Sequence, residues 1–508
     1  MRLATGSWGH RERSGEGVMG RGRGFAIGLG LSLLVAACGT HTTTPSPDPY
    51  KQELAWDDCG DGFECAKLAV PLDYTKPGAE QLAISVIRLP ATDDRLGSIV
   101  INPGGPGGSG IDYGRAARLV LSPQVRARFD VVGFDPRGVG ESAPVDCLSD
   151  AGLDAFLSLD ATPDTKAELA ALEAGSREFA RGCQALSGRL LPHLGTANAA
   201  RDLDVLRAAL GDDRLTYLGK SYGTYLGAHY AELFPHRVRA LVLDGGIDPA
   251  LNRVQLNEGQ AKGFSDAFKA YAEDCVAAPD CLLKSRTVDG AMAELAGLLR
   301  RTDGKPLRGD GRDVTEALAT LGALTPLYDR GTWPLLSDAL HEAANGDGGL
   351  LLRSADQLVG RAEDGTYTNQ TEANMAINCA DSPYPRTTAD FAKAAAKSER
   401  EVPGFGAFIM WSSLPCAFWP VPSTTPLGRL KASGAPPILV VGTTRDPATP
   451  YPWARSLAAQ LESGVLASFD GDGHTAYLNG SACVDGLVDT YLLTGRAPTR
   501  DTRCPEID

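Results

Sequence analysis

Apolar residues follow two rhythms along this chain. Short, nearly continuous apolar runs occur at 63–74, 82–90, 98–102, 129–134, 215–219, 238–243, 437–443 and 464–469. Runs of this length, bounded by Gly, Pro, Asn or Asp, predict buried strands. Between them lie stretches whose apolar residues recur three and four apart. In 196–210, Leu203, Leu206 and Leu210 share a face, and in 224–234, Leu226, Tyr230 and Leu233 do. That spacing predicts amphipathic helices. Segment 146–188 reads as a helical excursion between the fourth and fifth strands. Strands that alternate with helices predict an α/β fold with a mostly parallel, eight-stranded sheet.

The pattern changes between the sixth and seventh strands. From 251 to 430 the chain reads as helices with long connections and no clear strands, the best helical stretches being 260–275, 288–300 and 333–344. The expected layout is therefore a core of 55–250 and 431–508 split by a helical insertion, 251–430. Open α/β sheets bind ligands beyond the carboxyl ends of their strands. An insertion at this point lands over that end, which makes it a cap.

The first 37 residues are read as a leader rather than as fold. Arg21 and Arg23 precede an apolar run, 25–37, with the length of a signal-peptide core and too short to span a bilayer. The run ends in Val35-Ala36-Ala37-Cys38, which resembles a bacterial lipobox, so Cys38 is the expected lipidation site. The charged lead before Met19 suggests Met19 as the start. Residues 38–54, whose stretch 40–49 is rich in Thr, Pro and Ser, read as a tether that holds a domain off the outer face of a membrane. Without 1–37 the formal net charge of −14 loses five Arg and two Glu and becomes −17. So acidic a chain is a poor partner for nucleic acid or an anionic membrane surface. Of eleven cysteines, ten remain beyond Cys38, and they fall into neighbours. Cys59 lies near Cys65, Cys147 near Cys183, Cys275 near Cys281, Cys379 near Cys416, and Cys483 near Cys504. An even count in an exported chain predicts five disulfides, one for each of these pairs. Neither a Cys-x-x-Cys nor a cluster of His supports a metal site, and no organic cofactor is implied.

The chemistry centres on Gly219-Lys220-Ser221-Tyr222-Gly223, a G-x-S-x-G between a predicted strand and a predicted helix. That context is a nucleophile elbow, which lifts a Ser hydroxyl above the end of a parallel sheet. Lys220 is a non-catalytic elbow position on this reading. A Ser hydroxyl needs a base, and the base needs a group that fixes its tautomer. His41 lies in the tether, and His193, His229, His236 and His341 lie in or beside helical stretches. His474 follows the eighth strand in the glycine loop Gly471-Asp472-Gly473-His474-Thr475 and is the expected base. Asp446 follows the seventh strand and is the expected acid, in the chain order Ser, Asp, His. Asp244, after the sixth strand, is its competitor and is otherwise expected to tie down the loop entering the cap. Asn102-Pro103-Gly104-Gly105-Pro106-Gly107-Gly108 follows the third strand. It lacks the Lys-Ser/Thr ending of a phosphate-binding loop, and its position suits an oxyanion hole built from the backbone N–H groups of Gly105 and Tyr222.

With these residues assembled, the chain resembles the actinobacterial tripeptidyl aminopeptidase-like serine hydrolases of the α/β-hydrolase fold, relatives of prolyl aminopeptidases. The resemblance is carried by CAKLAVPLDY (65–74), NPGGPGGSG (102–110), VGFDPRGVGES (132–142), LGKSYGTY (218–225), LVLDGGIDP (241–249), CAFWP (416–420), VVGTTRDPATP (440–450) and GDGHTAY (471–477). It implies Ser221, Asp446 and His474 as a triad, and a peptidase releasing short N-terminal peptides through an acyl-enzyme. Such an enzyme must recognise a free α-amine. Asp381 in the cap, with Glu372 behind it, is the candidate carboxylate. The substrate is then a peptide or protein, the lipid anchor supplies membrane contact, and a monomer is favoured. The rival readings are a cell-envelope carboxylesterase with the same triad and a non-enzymatic binding protein on a hydrolase scaffold. An epoxide hydrolase or dehalogenase is disfavoured because those place Asp at the elbow.

Overall fold

The central strands are buried almost end to end, which is the pattern of a sheet covered on both faces. The computed structural model describes residues 48–506 apart from Pro426. The expected leader and Cys38, the expected lipidation site, lie outside the described residues. In chain order the strands are β1 Asp57–Asp58, β2 Glu64–Pro71, β3 Gln81–Leu89, β4 Gly97–Asn102, β5 Phe129–Phe134, β6 Leu215–Lys220, β7 Val238–Asp244, β8 Leu307–Gly309, β9 Arg312–Val314, β10 Ile438–Arg445, β11 Gly464–Asp472 and β12 Thr502–Cys504. Ten of them form one sheet in the order β1-β2-β3-β5-β4-β6-β7-β10-β11-β12. β1, β2, β3 and β5 pair antiparallel in succession. From β5 to β12 every pairing is parallel. The chain turns from one side of β4 to the other after β5, so the sheet has its switch point at β4 and β6.

Alternation along the strands sorts the core onto two faces. Val100, Val132, Tyr217, Leu241, Leu243 and Val440 join one buried cluster. Their neighbours Ile99, Ile101, Val131, Leu218, Val242 and Val441 join another. Helices Thr196–Ala209 and Tyr222–Leu233 cover the first face through Leu203, Leu206, Leu226 and Tyr230. Helices Pro123–Arg128 and Ala482–Thr494 cover the second through Val125, Val488 and Tyr491.

The sheet corrects the expected strand count. The eight expected strands are present, and β1 and β12 extend the sheet at its two edges. Each is only two or three residues long and carries no apolar run, so hydrophobic patterning could not mark it. The insertion also holds a strand pair: β8 and β9 form an antiparallel hairpin. Its helices include Arg253–Ala277, Val288–Gly304, Glu316–Leu324, Trp333–Ala344, Gly349–Val359, Gln370–Asp381, Thr388–Glu401 and Gly406–Trp411. Phe264, Phe268, Leu295, Leu318, Leu336 and Leu351 give the earlier helices a core of their own. The later stretch packs differently. Ala373, Ile377, Met410, Trp411 and Cys416 join the cluster that holds Tyr222, Tyr225 and Leu226 of the elbow helix.

All five expected cysteine pairs are bonded. Cys59 is joined to Cys65, and so links the end of β1 to β2. Cys147 is joined to Cys183, which closes the helical excursion on itself. Cys275 is joined to Cys281, just past the end of the first long cap helix. Cys379 is joined to Cys416, which ties two segments of the later cap stretch together. Cys483 is joined to Cys504, which fastens the edge strand β12 to the last helix.

Candidate active site

Ser221 has φ 55° and ψ −123°, a left-handed conformation that a non-glycine residue holds only when its surroundings enforce it. The enforcement comes from close packing. A Cβ at Gly219 would lie 2.3 Å from the carbonyl oxygen of Gly223, and one at Gly223 would lie 2.8 Å from Oδ1 of Asn102. The Ser221 N–H donates to the Asp244 carbonyl at 2.8 Å, so the turn is pinned to the adjacent strand β7. Ser221 precedes the first residue of helix Tyr222–Leu233, whose leading N–H groups have no partner within the helix.

The glycine loop after β4 abuts this elbow. A Cβ at Gly104, which has φ 98°, would lie 2.6 Å from the Lys220 carbonyl oxygen and 3.0 Å from the Tyr222 nitrogen. Gly104 N–H donates to Asn102 Oδ1 at 3.0 Å, which curls the loop back on its own strand. Gly105 and Tyr222, the expected oxyanion donors, line one cavity together with Ser221.

His474 stands on the loop after β11. Its Nδ1 lies 2.9 and 3.0 Å from the two carboxylate oxygens of Asp446. Asp446 is buried and accepts from the N–H groups of Ala448 at 2.9 Å and Thr449 at 2.8 Å, and from the Thr449 hydroxyl at 3.0 Å. Those donors fix the carboxylate, and the carboxylate orients the ring so that Nε2 is left for a proton-transfer partner. Tyr328, from the insertion, holds the loop from the other side. Its carbonyl accepts the His474 N–H at 2.7 Å, and its ring meets the imidazole edge-on at 5.4 Å.

Asp244 also serves the histidine loop, which differs from its expected role at the entrance to the cap. Its carboxylate accepts from the N–H groups of Ala476 at 2.9 Å and Tyr477 at 3.0 Å. Its position at the end of β7 puts it beside that loop. Lys220 has a structural task as well, since its Nζ donates to the Tyr477 carbonyl at 2.8 Å. Burial lowers its pKa, and Asp244 opposes that shift.

Two cavities meet at Ser221. One has a volume of about 440 Å³ and is lined by Ser221 and His474 with apolar side chains that include Phe156, Leu172, Leu321 and Met375. The other, of about 220 Å³, is lined by Ser221 and Tyr222 with polar side chains that include Arg253, Asn257, Gln260 and Asn378. Asn374 lines both, and its side-chain amide donates to the Pro106 carbonyl in the glycine loop at 2.9 Å.

The two cap carboxylates expected to meet an α-amine are placed elsewhere. Asp381 is fully buried, and its oxygens accept from Thr196 N–H at 2.7 Å, the Thr196 hydroxyl at 2.6 Å and the Thr425 hydroxyl at 2.6 Å. The Thr196 hydroxyl also bonds the Tyr222 hydroxyl, so Asp381 braces the elbow helix. Glu372 is buried and accepts from the N–H groups of Cys147 at 2.6 Å and Leu148 at 2.9 Å, where burial raises its pKa. Neither residue lines either cavity, and no Asp or Glu does among the described residues. Sequence reading identified carboxylates in the cap, but not the threonine and backbone donors that consume them. It missed Tyr328, Asn374 and Arg253, which carry no motif, and Thr449, which sits inside the 440–450 stretch.

Comparison with known proteins places this geometry. Residues 97–314 match the α/β-hydrolase fold family, and residues 399–504 match the TAP-like protein family. The chain is 42% identical over 456 residues to "Serine protease Hip1" of Mycobacterium tuberculosis, which covers 87% of each chain. It is 39% identical over 451 residues to "Carboxylesterase B" of the same organism, covering 87% of this chain and 86% of that one. It is 35% identical over 466 residues to "Tripeptidyl aminopeptidase" of Streptomyces lividans, covering 88% and 86%. With relatives this similar over nearly all the described fold, the chain belongs to the TAP-like family of α/β-hydrolases and is a serine hydrolase.

Proposed function

We propose that this protein is an exported serine peptidase that works through an acyl-enzyme on Ser221. One observation carries the reading: Ser221, held in a strained elbow, faces the same cavity as His474, and His474 is paired with a buried, fully ligated Asp446. His474 takes the hydroxyl proton as Ser221 attacks the scissile carbonyl, then gives it to the leaving amine. Asp446 stabilises the imidazolium formed between those steps. The backbone N–H groups of Gly105 and Tyr222 receive the developing oxyanion. Relatives named as a serine protease and a tripeptidyl aminopeptidase support a peptide substrate. Cavities of about 440 and 220 Å³ that meet at Ser221 and are lined partly by the insertion have room for a few residues of a peptide.

Release of tripeptides from free N-termini is the finer form of this reading. The Streptomyces relative supports it, but the cavities offer an ammonium group no carboxylate among the described residues, so no α-amine site is assigned. The second reading, a carboxylesterase, is favoured by the larger apolar cavity and by the relative named for that activity. Turnover of unblocked tri- and dipeptidyl amides is to be compared with that of their N-acetylated forms and of short-chain nitrophenyl esters. Loss of turnover on acetylation supports the aminopeptidase form. Equal turnover of the acetylated peptides refutes that form and leaves the peptidase. Turnover of esters alone moves the assignment to the esterase. Failure of a fluorophosphonate to label Ser221 removes the nucleophile altogether.

Export and lipid anchoring through Cys38 belong to the same proposal. The leader pattern and the five disulfides support it. Incorporation of a labelled fatty acid that is abolished by Cys38→Ser tests it.

A further inference from the structure

The polar cavity holds a cation without a counterion among the described residues. Arg253 is the first residue of the helix Arg253–Ala277 and lines the cavity that opens at Ser221. Its Nε is buried and has no hydrogen-bond partner. Among the described residues its guanidinium makes no hydrogen bond or ion pair. Arg137, an arginine buried near the sheet, shows how this fold treats a structural guanidinium. Arg137 donates to both oxygens of Asp202 at 2.6 and 2.7 Å and to the carbonyls of Pro71, Leu72 and His193 at 3.0–3.1 Å. Arg253 has none of this. Asp381 acts electrostatically on the same tyrosines, but its oxygens are taken by Thr196 and Thr425. The Arg253 charge reaches Tyr225 and Tyr384, two further lining residues, where it opposes the upward push of burial on their hydroxyls. The leading end of a long helix adds positive potential at the same place.

A planar guanidinium with free donors in a polar cavity fits a carboxylate in a paired, two-bond contact. We propose that Arg253 is a specificity residue. It receives a substrate carboxylate in the polar cavity, while the apolar cavity takes the side chain on the other side of the scissile carbonyl. This rests on the reading of Ser221 as the reacting residue. It adds a substrate class: a short peptide with an acidic residue or a free C-terminus on the polar side and an apolar residue on the other. Both sources offer the same group, and the peptides below separate them.

The test is calorimetric binding to the Ser221→Ala protein, which consumes no peptide. Four tetrapeptides of one sequence carry Glu or Gln at the third position and a C-terminal acid or amide. The expected result is that at least one carboxylate improves binding by about tenfold over the Gln amide, as charge-assisted hydrogen bonds do. A gain with Glu in the amide series assigns a side-chain carboxylate, and a gain with the acid in the Gln series assigns the C-terminus. Adding Arg253→Gln abolishes the gain, Arg253→Lys keeps part of it, and Arg253→Glu shifts preference to a Lys-containing peptide. Equal binding of all four peptides, or a gain that survives Arg253→Gln, overturns the proposal. Thermal unfolding of each variant confirms that a lost gain is not lost fold. Fluorophosphonate labelling of Ser221 in the otherwise unchanged protein is read separately, so a failure of the nucleophile and a failure of the carboxylate site give different results.

Discussion

Ser221 and His474 divide the proposed chemistry between them, and each is expected to be indispensable. Ser221→Ala removes the group that forms the acyl bond, and His474→Ala removes its base. Each should lower kcat by about 10⁴-fold or more, with KM little changed, in steady-state assays on the best peptide or ester. The two acids separate more finely. Asp446 touches the imidazole, so Asp446→Asn presents an amide that favours the wrong tautomer and should cost on the order of 10³–10⁴ in kcat. Asp244 touches the backbone N–H groups of Ala476 and Tyr477 rather than the ring. Asp244→Asn is therefore expected to lower the thermal midpoint more than it lowers kcat, because one carboxylate oxygen becomes a donor facing donors. A reversed pattern, with Asp244→Asn inactive and Asp446→Asn active, would reassign the acid. Lys220 belongs with Asp244, since both hold the chain just beyond His474.

At the scale of elements, the elbow and the glycine loop act as one interlocked unit. Gly104→Ala would push a methyl group to within 2.8 Å of Ser221 Cβ and 2.6 Å of the Lys220 carbonyl, in a backbone conformation that L-residues avoid. Both neighbours are rigid, so the loop must move away from Ser221 and take Gly105 N–H with it. The variant is expected to lose activity about 10²–10³-fold, as enzymes do when an oxyanion donor is displaced. It should retain its far-UV circular dichroism, and wild-type kcat in Gly104→Ala would argue against this loop as the oxyanion donor. These elements were readable in the sequence because they combine strong patterns: continuous apolar strands, glycines forced by close approach, and functional residues at strand ends. The disulfides were readable for a related reason, since Cys59 with Cys65 and Cys275 with Cys281 are too close along the chain to need the fold to bring them together. β12 was not, since Thr502-Arg503-Cys504 has no apolar repeat and is held by its neighbour β11 and the bond to Cys483. The cap was legible as helical but not in detail. Asp381 and Glu372 have the residue type of an amine receptor, yet whether a buried carboxylate faces a cavity or a backbone amide depends on contacts far away along the chain. Arg253 shows the converse. Nothing in its local sequence distinguishes a helix-start arginine in solvent from one left unpaired over an active site.

For the molecule as a whole, the 146–188 excursion and the insertion together line the apolar cavity, with Leu157 and Ala161 from the excursion and Ala317 and Leu321 from the insertion. Their junction carries a cluster of acids. Carboxylate oxygens of Asp160, Asp303 and Glu316 lie within 4.8 Å of one another. Glu316 opens the helix Glu316–Leu324 and accepts a hydrogen bond from the Thr162 hydroxyl. Its pKa is pushed from 4.5 to about 7, first by burial and then by Asp160 and Asp303, against the Thr162 bond. A carboxyl with a raised folded-state pKa makes the folded protein bind more protons than the unfolded chain between those two values. Stability from Glu316 is thus present in full below pH 4.5 and is lost as pH rises through about 7, above which the charged, partly buried carboxylate is a fixed penalty. Glu316→Gln keeps an oxygen for Thr162 and cannot ionise. Its thermal midpoint should match that of the unmodified protein in mild acid and exceed it by a margin that grows up to about pH 7 and then levels off. Because Ala317 and Leu321 follow on the same helix, the substitution should also flatten any rise of KM for apolar substrates over that range. A midpoint difference independent of pH would mean that folding does not raise the pKa of Glu316.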